Sequence, residues 1–267
     1  MSNLVKRILA GAAGIPLILT ACYYGGIIFF IFTAVVSSIA LWEFHTMFEK
    51  KNFFPMKYTA IIFSILIMIS LREMDDGEFV SILTSLIFTI VFSTIEIFRS
   101  EKRHPVNVMI ELFGYLYITI PFALLASLNK PDHGFKINIL IYIFILIWTC
   151  DTMAYFGGRI FGKHQLSAIS PKKTWEGSAA GFFFTVIISL LIHIIFPDKL
   201  SLTDAVIFGI ITGIFSQAGD LFESLIKRYC DVKDSSDIIP GHGGVLDRFD
   251  SLVFVAPVIY IYIMLRG

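Results

Sequence analysis

Residues 224–250 read SLIKRYCDVKDSSDIIPGHGGVLDRFD, and an apolar run flanks them on each side. From Asp220 to Asp250 there are eleven charged side chains. At about 2.5–3.5 kcal/mol each at a bilayer centre, they cannot sit in lipid. A polar island between two candidate membrane helices, with acids, bases and glycines interleaved, is a place for chemistry on a charged substrate.

The rest of the chain has the opposite character. Of 267 residues, 56% are hydrophobic and 16% charged, against about 25% charged in an ordinary globular domain. The expected class is therefore all-α, a polytopic integral membrane protein. A formal charge of zero gives no bulk attraction for nucleic acid, so none is expected as a partner. Cys22, Cys150 and Cys230 lie far apart with no CxxC spacing, which argues against zinc and against a disulfide framework. Lys6 and Arg7 precede an apolar run ending at Cys22, as in a secretory signal. A second apolar run follows directly after Gly26, so the first is read as a retained helix.

Crossing a hydrocarbon core of about 30 Å takes roughly 20 residues. Nine windows qualify or nearly qualify: 8–24, 26–42, 58–71, 79–98, 106–128, 137–156, 177–196, 205–221 and 251–265, the third and ninth being short. With the N-terminus cytoplasmic, sixteen Lys and Arg fall inside and five outside, the bias of the positive-inside rule. The loop with Asp75 and Asp76 is then an acidic outer loop. The same alternation brings four ionisable helix ends to the cytoplasmic face: Asp151, the 170–177 block, Asp220, and the segment Asp247 to Asp250. Residues 1–130 (spans 1–5) read as a scaffold, and 131–267 (spans 6–9) as the catalytic region. The pairs Gly158/Gly162, Gly177/Gly181 and Gly209/Gly213 have the spacing of close helix packing.

Asp220, Glu223, Ser224 and Lys227 fall at i, i+3, i+4 and i+7, one face of a helix leaving the membrane. Carboxylates on such a face suit magnesium, whose remaining positions go to water and substrate phosphates. The turn Pro240-Gly241-His242-Gly243-Gly244 lets backbone N–H groups converge on an anion. It lacks the Gly-Lys-Ser/Thr of a nucleotide P-loop, which excludes a Walker-type ATPase. His242 is open to a site role or a local turn contact. Two acids bracketing Arg248 follow at the mouth of the last span. Lys172 and Lys173 serve as phosphate ligands or as interface anchors, Glu176 suits a helix N-terminus, and Asp151 is an acid inside a span. Glu43, His45, Glu96, Glu111 and His193 are read as structural.

These residues resemble the phosphatidate cytidylyltransferase (CDP-diacylglycerol synthase) family. The signature is complete in Ser224, Lys227-Arg228, Lys233-Asp234, Ser236, Ile239-Pro240, His242-Gly243-Gly244, Asp247-Arg248 and Asp250, and the block Ser170 to Gly177 is similar too. The resemblance implies transfer of a cytidylyl group from CTP to phosphatidic acid, with magnesium, in the cell (inner) membrane, and implies a homodimer. On that footing Asp220 and Asp247, with Asp151 and Glu176 at a second position, are expected to hold one or two metal ions. Lys227, Arg248, Lys172 and Lys173 would neutralise phosphates, and Ser224, Arg228, His242, Gly243 and Gly244 would contact substrate. Asp250 would orient Arg248 or join the metal shell. The alternatives are a cytidylyltransferase for another lipid phosphate, and a secondary transporter using intramembrane carboxylates, for which paired broken helices are lacking.

Overall fold

The computed structural model describes residues 3–73, 77–128 and 136–266. Among these the chain forms nine helical rods: α1 (Asn3–Tyr24), α2 (Gly26–Glu49), α3 (Lys57–Glu73), α4 (Gly77–Phe98), α5 (Pro105–Ser127), α6 (Ile139–Phe161), α7 (Trp175–Ile195), α8 (Leu202–Tyr229) and α9 (Leu246–Arg266). They stand at the nine windows expected from hydropathy. Six of them, α2 and α5 to α9, are long and apolar enough to cross a membrane. The apolar stretches Ala10–Tyr24 and Ile82–Phe98 are shorter, and α3 has 17 residues. The acidic loop at Asp75 and Asp76, and the boundary near residue 130, lie outside the described residues.

Local chemistry explains where the rods begin and bend. Asn138, Thr174 and Ser201 precede α6, α7 and α8, and each side-chain oxygen accepts the N–H three residues on at 3.1 Å, satisfying a donor the helix leaves orphaned. In α5, Pro121 has no N–H to give and its ring crowds the preceding turn. The helix widens there into a π turn at Tyr115–Thr119, as helices do to absorb such a misfit.

Small residues fix the packing of the second half, where α6 packs on α7, α7 on α8 and α8 on α9. A methyl on Gly177 would lie 2.9 Å from the Gly158 Cα, and one on Gly209 2.9 Å from the Val186 Cα. The glycine pairs of α7 and α8 thus seat on the backbones of α6 and α7, the contact their spacing predicts.

The two halves share one core. Phe44 of α2, Phe113 and Tyr117 of α5, Phe222 of α8 and Phe254 of α9 pack with ring centroids 5.5–6.3 Å apart. Large apolar side chains such as Ile90, Ile194 and Leu265 point outward, as lipid-facing residues do.

Two ends differ from the expected windows. α8 continues past the apolar run to Tyr229, so the face Asp220 to Lys227 is helical throughout. α9 begins at Leu246, and the last window is a full 21-residue span. Asp247, Arg248 and Asp250 therefore occupy its first turns instead of a loop before it.

Candidate active site

The C-terminal ends of α6 and α8 and the N-terminal ends of α7 and α9 come together, as the alternation of spans implies. Between α6, α7 and α8 lies a cavity of about 400 Å³, lined by Asp151, Tyr155, Arg159, Lys172, Lys173 and Asp220 among others. Asp151, Tyr155 and Arg159 recur at four-residue spacing and so share one face of α6. Asp220 pairs with Lys173 at 2.5 Å, and Ser216 Oγ lies 3.5 Å from Asp151. Asp250 lies within electrostatic reach of Asp151, Asp220 and Glu223, and Arg248 is exposed within reach of Asp151. Gly219 allows this convergence: a methyl there would sit 2.5 Å from the Asp250 carbonyl oxygen, so α8 and α9 touch backbone to backbone beside Asp220.

Lys172 and Lys173 reach the cavity on a short hairpin. Leu166 N–H donates to Lys173 O at 2.8 Å, and Trp175 N–H to His164 O at 2.9 Å. Glu176 anchors that hairpin. Its carboxylate accepts the N–H groups of Lys163 and His164 at 3.1 and 3.2 Å and meets the His164 ring at 2.6 Å.

A second polar cluster lies beyond the cavity and is closed to solvent. Glu223 is 0% exposed, Asp247 8% and Lys227 9%. The Lys227 ammonium sits between them, 2.5 Å from Glu223 and 2.6 Å from Asp247. The other oxygen of Asp247 accepts the Ser235 N–H at 2.8 Å and the Gly244 N–H at 2.7 Å. Ser235 Oγ lies 2.8 Å from Asp247 Oδ2 and 3.1 Å from Glu43 Oε2, with one hydroxyl proton to share. Gly243 takes φ +82°, a left-handed conformation that favours glycine, and the turn closes with an Ile239 N–H to Gly243 O bond of 2.9 Å.

The expected site residues thus separate into two groups. Asp151, Asp220, Lys172 and Lys173 face one cavity, with Asp250 and Arg248 nearby. Asp247 and Lys227 are spent on each other and on the 235–244 loop, and the Gly244 N–H faces Asp247 instead of open space. Glu176 holds the hairpin rather than lining the cavity. Arg228 is exposed, with one guanidinium nitrogen 3.3 Å from Val232 O; Ser224 and His242 are half-buried. Among the described residues, no three His, Cys, Asp or Glu side chains stand together as a preassembled metal site.

Three residues escape a reading by motif. Arg159 adds a cation to the cavity, Gly219 sets the helix contact, and Glu43 of α2 is completely buried against the loop of the polar island. Arg159 could have been found from its four-residue spacing with Asp151 and Tyr155, whereas Gly219 and Glu43 carry no such signal. The other acids read as structural behave so: Glu96 accepts the His104 N–H at 2.7 Å and Asn107 Nδ2 at 2.6 Å, and Glu111 accepts the Met56 N–H. Outside the spans, Lys51 pairs with Asp231, and that hydrogen bond holds its ammonium pKa above the ordinary value.

Fold and site together define a polytopic helical membrane protein with a cavity that opposes carboxylates to several cations, the arrangement of a phosphate-handling enzyme. The pattern of the Cytidylyltransferase family matches residues 5–266, and the chain belongs to that family. It is 32% identical to a phosphatidate cytidylyltransferase of Staphylococcus saprophyticus over 262 residues, 97% of this chain and 98% of the relative. It is 39% identical to that of Haemophilus influenzae over 172 residues, 60% of this chain and 59% of the relative. With the phosphatidate cytidylyltransferase of Bacillus subtilis it shares 36% identity over 151 residues, 56% of each chain.

Proposed function

We propose that the protein transfers the cytidylyl group of CTP to phosphatidic acid, giving CDP-diacylglycerol and pyrophosphate for phospholipid synthesis. The observation that carries this reading is the cavity in which Asp151 and Asp220 face Arg159, Lys172 and Lys173 at clustered helix ends. Membership in the family and the full-length relatives support it.

A phosphate monoester has a second pKa near 6, so the attacking oxygen of phosphatidate is already largely ionised and needs no strong base. The obstacle is repulsion between that dianion and the triphosphate. Arg159, Lys172 and Lys173 relieve it by holding phosphate oxygens in a partly enclosed site, where charge interactions are stronger than in water. Lys173 is positioned by Asp220 for this task. The lipid oxygen bonds to the α-phosphorus, the bond from that phosphorus to the bridging oxygen breaks, and pyrophosphate departs towards the cations.

Magnesium fits the same cavity. It takes one or two carboxylates and leaves its other positions to water and phosphate oxygens, which suits Asp151 and Asp220 better than a closed cage would. Asp250, with the unpartnered Oε1 of buried Glu223 near it, offers a place for a second cation. When bound, the metal neutralises phosphate oxygens and orients the leaving group.

On this reading the protein lies in the cell (inner) membrane as a homodimer with the cavity facing the cytoplasm, a sidedness supported by the sixteen-to-five distribution of Lys and Arg. The test is incubation of purified protein with labelled CTP and phosphatidate, with and without magnesium. Formation of CDP-lipid only with magnesium is expected. No product overturns the activity, and full turnover in excess chelator overturns the metal. Faster turnover of an isoprenoid glycerophosphate than of phosphatidate would reassign the lipid.

A further inference from the structure

Glu43 belongs to the half of the chain that carries no part of the signature, yet it is 0% exposed and sits against the signature loop. Its Oε1 accepts the Ser236 hydroxyl at 2.6 Å and the Val245 N–H at 2.9 Å. Its Oε2 accepts the Leu246 N–H at 2.8 Å and lies 3.1 Å from Ser235 Oγ. The Val245 and Leu246 amides open α9, so the carboxylate also lies at the positive end of the helix dipole. A methyl on Gly244 would fall 2.5 and 2.6 Å from the two Glu43 oxygens. The Ser235 Oγ would lie nearer still, so the second glycine of the Gly243-Gly244 pair lets the loop close on both Ser235 and this side chain.

We propose that Glu43 is a positioning residue for the transfer reaction, fastening the start of α9, and with it Arg248 and Asp250, at the cavity. The inference rests on the reading of the cavity given above. It makes the N-terminal helices part of the catalytic apparatus: α2 reaches a loop about 200 residues further along the chain. A neutral amide cannot replace the carboxylate. Gln has one acceptor oxygen, so its NH2 group must face either the Val245 or the Leu246 N–H, donor against donor.

The test compares wild type with Glu43→Gln and with Ser236→Ala, which removes one hydroxyl and leaves the charge. For Glu43→Gln, kcat is expected to fall about tenfold or more, the loss of a charge-assisted bond or two. KM for CTP and the number of CTP-binding sites per chain stay within about twofold, and amide hydrogen exchange at 235–250 quickens while other helices are unchanged. For Ser236→Ala, kcat falls about two- to fivefold with full CTP binding. A Glu43→Gln protein with wild-type kcat, or one whose CTP sites vanish in step with activity, overturns the proposal. If that variant does not fold, an unchanged kcat in Ser236→Ala overturns it. Absence of CTP and phosphatidate turnover in the wild type would instead fail the reading of the cavity, and the exchange measurement would still decide the clamp.

Discussion

Replacing Lys227 by Met separates two accounts of the polar island. The motif makes this lysine a ligand of substrate phosphate, whereas the structure places its ammonium 2.5 Å from Glu223 and 2.6 Å from Asp247, with both acids buried. Removal of the cation leaves two carboxylates facing each other out of water. Breaking a buried pair by deleting one partner costs about 3–5 kcal/mol, because the desolvation of the remaining charge is no longer offset. For a chain of this size roughly 2–4 °C accompanies each kcal/mol, so the unfolding midpoint in detergent should drop on the order of 10 °C. Adding Glu223→Gln removes one of the two stranded charges and should recover a large part of the loss. The assay is thermal unfolding of the purified proteins beside turnover at a temperature where all are folded. A Lys227→Met protein that melts with the wild type and has a raised KM for CTP would refute the structural role of the buried Glu223–Lys227–Asp247 cluster and restore the phosphate role.

Asp220→Asn should behave in the opposite way. Asp220 is 36% exposed and its partner Lys173 28%, so the melting point changes by no more than about 1 kcal/mol's worth, while kcat falls roughly a hundredfold or more if this carboxylate carries the metal. Glu176→Gln should loosen the hairpin that presents Lys172 and Lys173, raising KM for CTP by roughly fivefold, about 1 kcal/mol. A magnesium dependence shifted in Glu176→Gln, with KM for CTP unmoved, would return Glu176 to the metal. Gly219→Val should cost about 1–3 kcal/mol through overpacking, and activity should fall further than stability because the α8 to α9 contact beside Asp220 and Asp250 must open; an active, normally melting variant would contradict that contact.

Much of the architecture is legible one residue at a time. A window of apolar side chains is a local property, and the cost of burying charge in lipid forces each window to be a helix and each charged segment to an end. The face Asp220 to Lys227 follows from helical periodicity alone, and the glycine spacings of α7 and α8 follow from the same geometry. The cluster of ionisable helix ends comes from counting spans.

What a side chain does within that cluster is another matter, because it depends on which backbone lies against it. Asp220 and Asp247 are alike in the sequence, both acids at helix ends bordering the same polar island. Tertiary packing makes the first a cavity wall and the second a buried anchor, since Lys227, Ser235 and Gly244 occupy both oxygens of Asp247. The hydrogen bonds of Glu43 come from outside its own stretch of sequence; Ser235, Ser236, Val245 and Leu246 reach it only when α2 and α9 pack. Composition, periodicity and motif determined a polytopic helical enzyme of this family with its chemistry at one face, because those are short-range consequences of hydropathy and residue spacing. The division of its carboxylates between cavity and clamp was decided by tertiary structure, because hydrogen bonds and desolvation act between groups that the chain brings together only on folding.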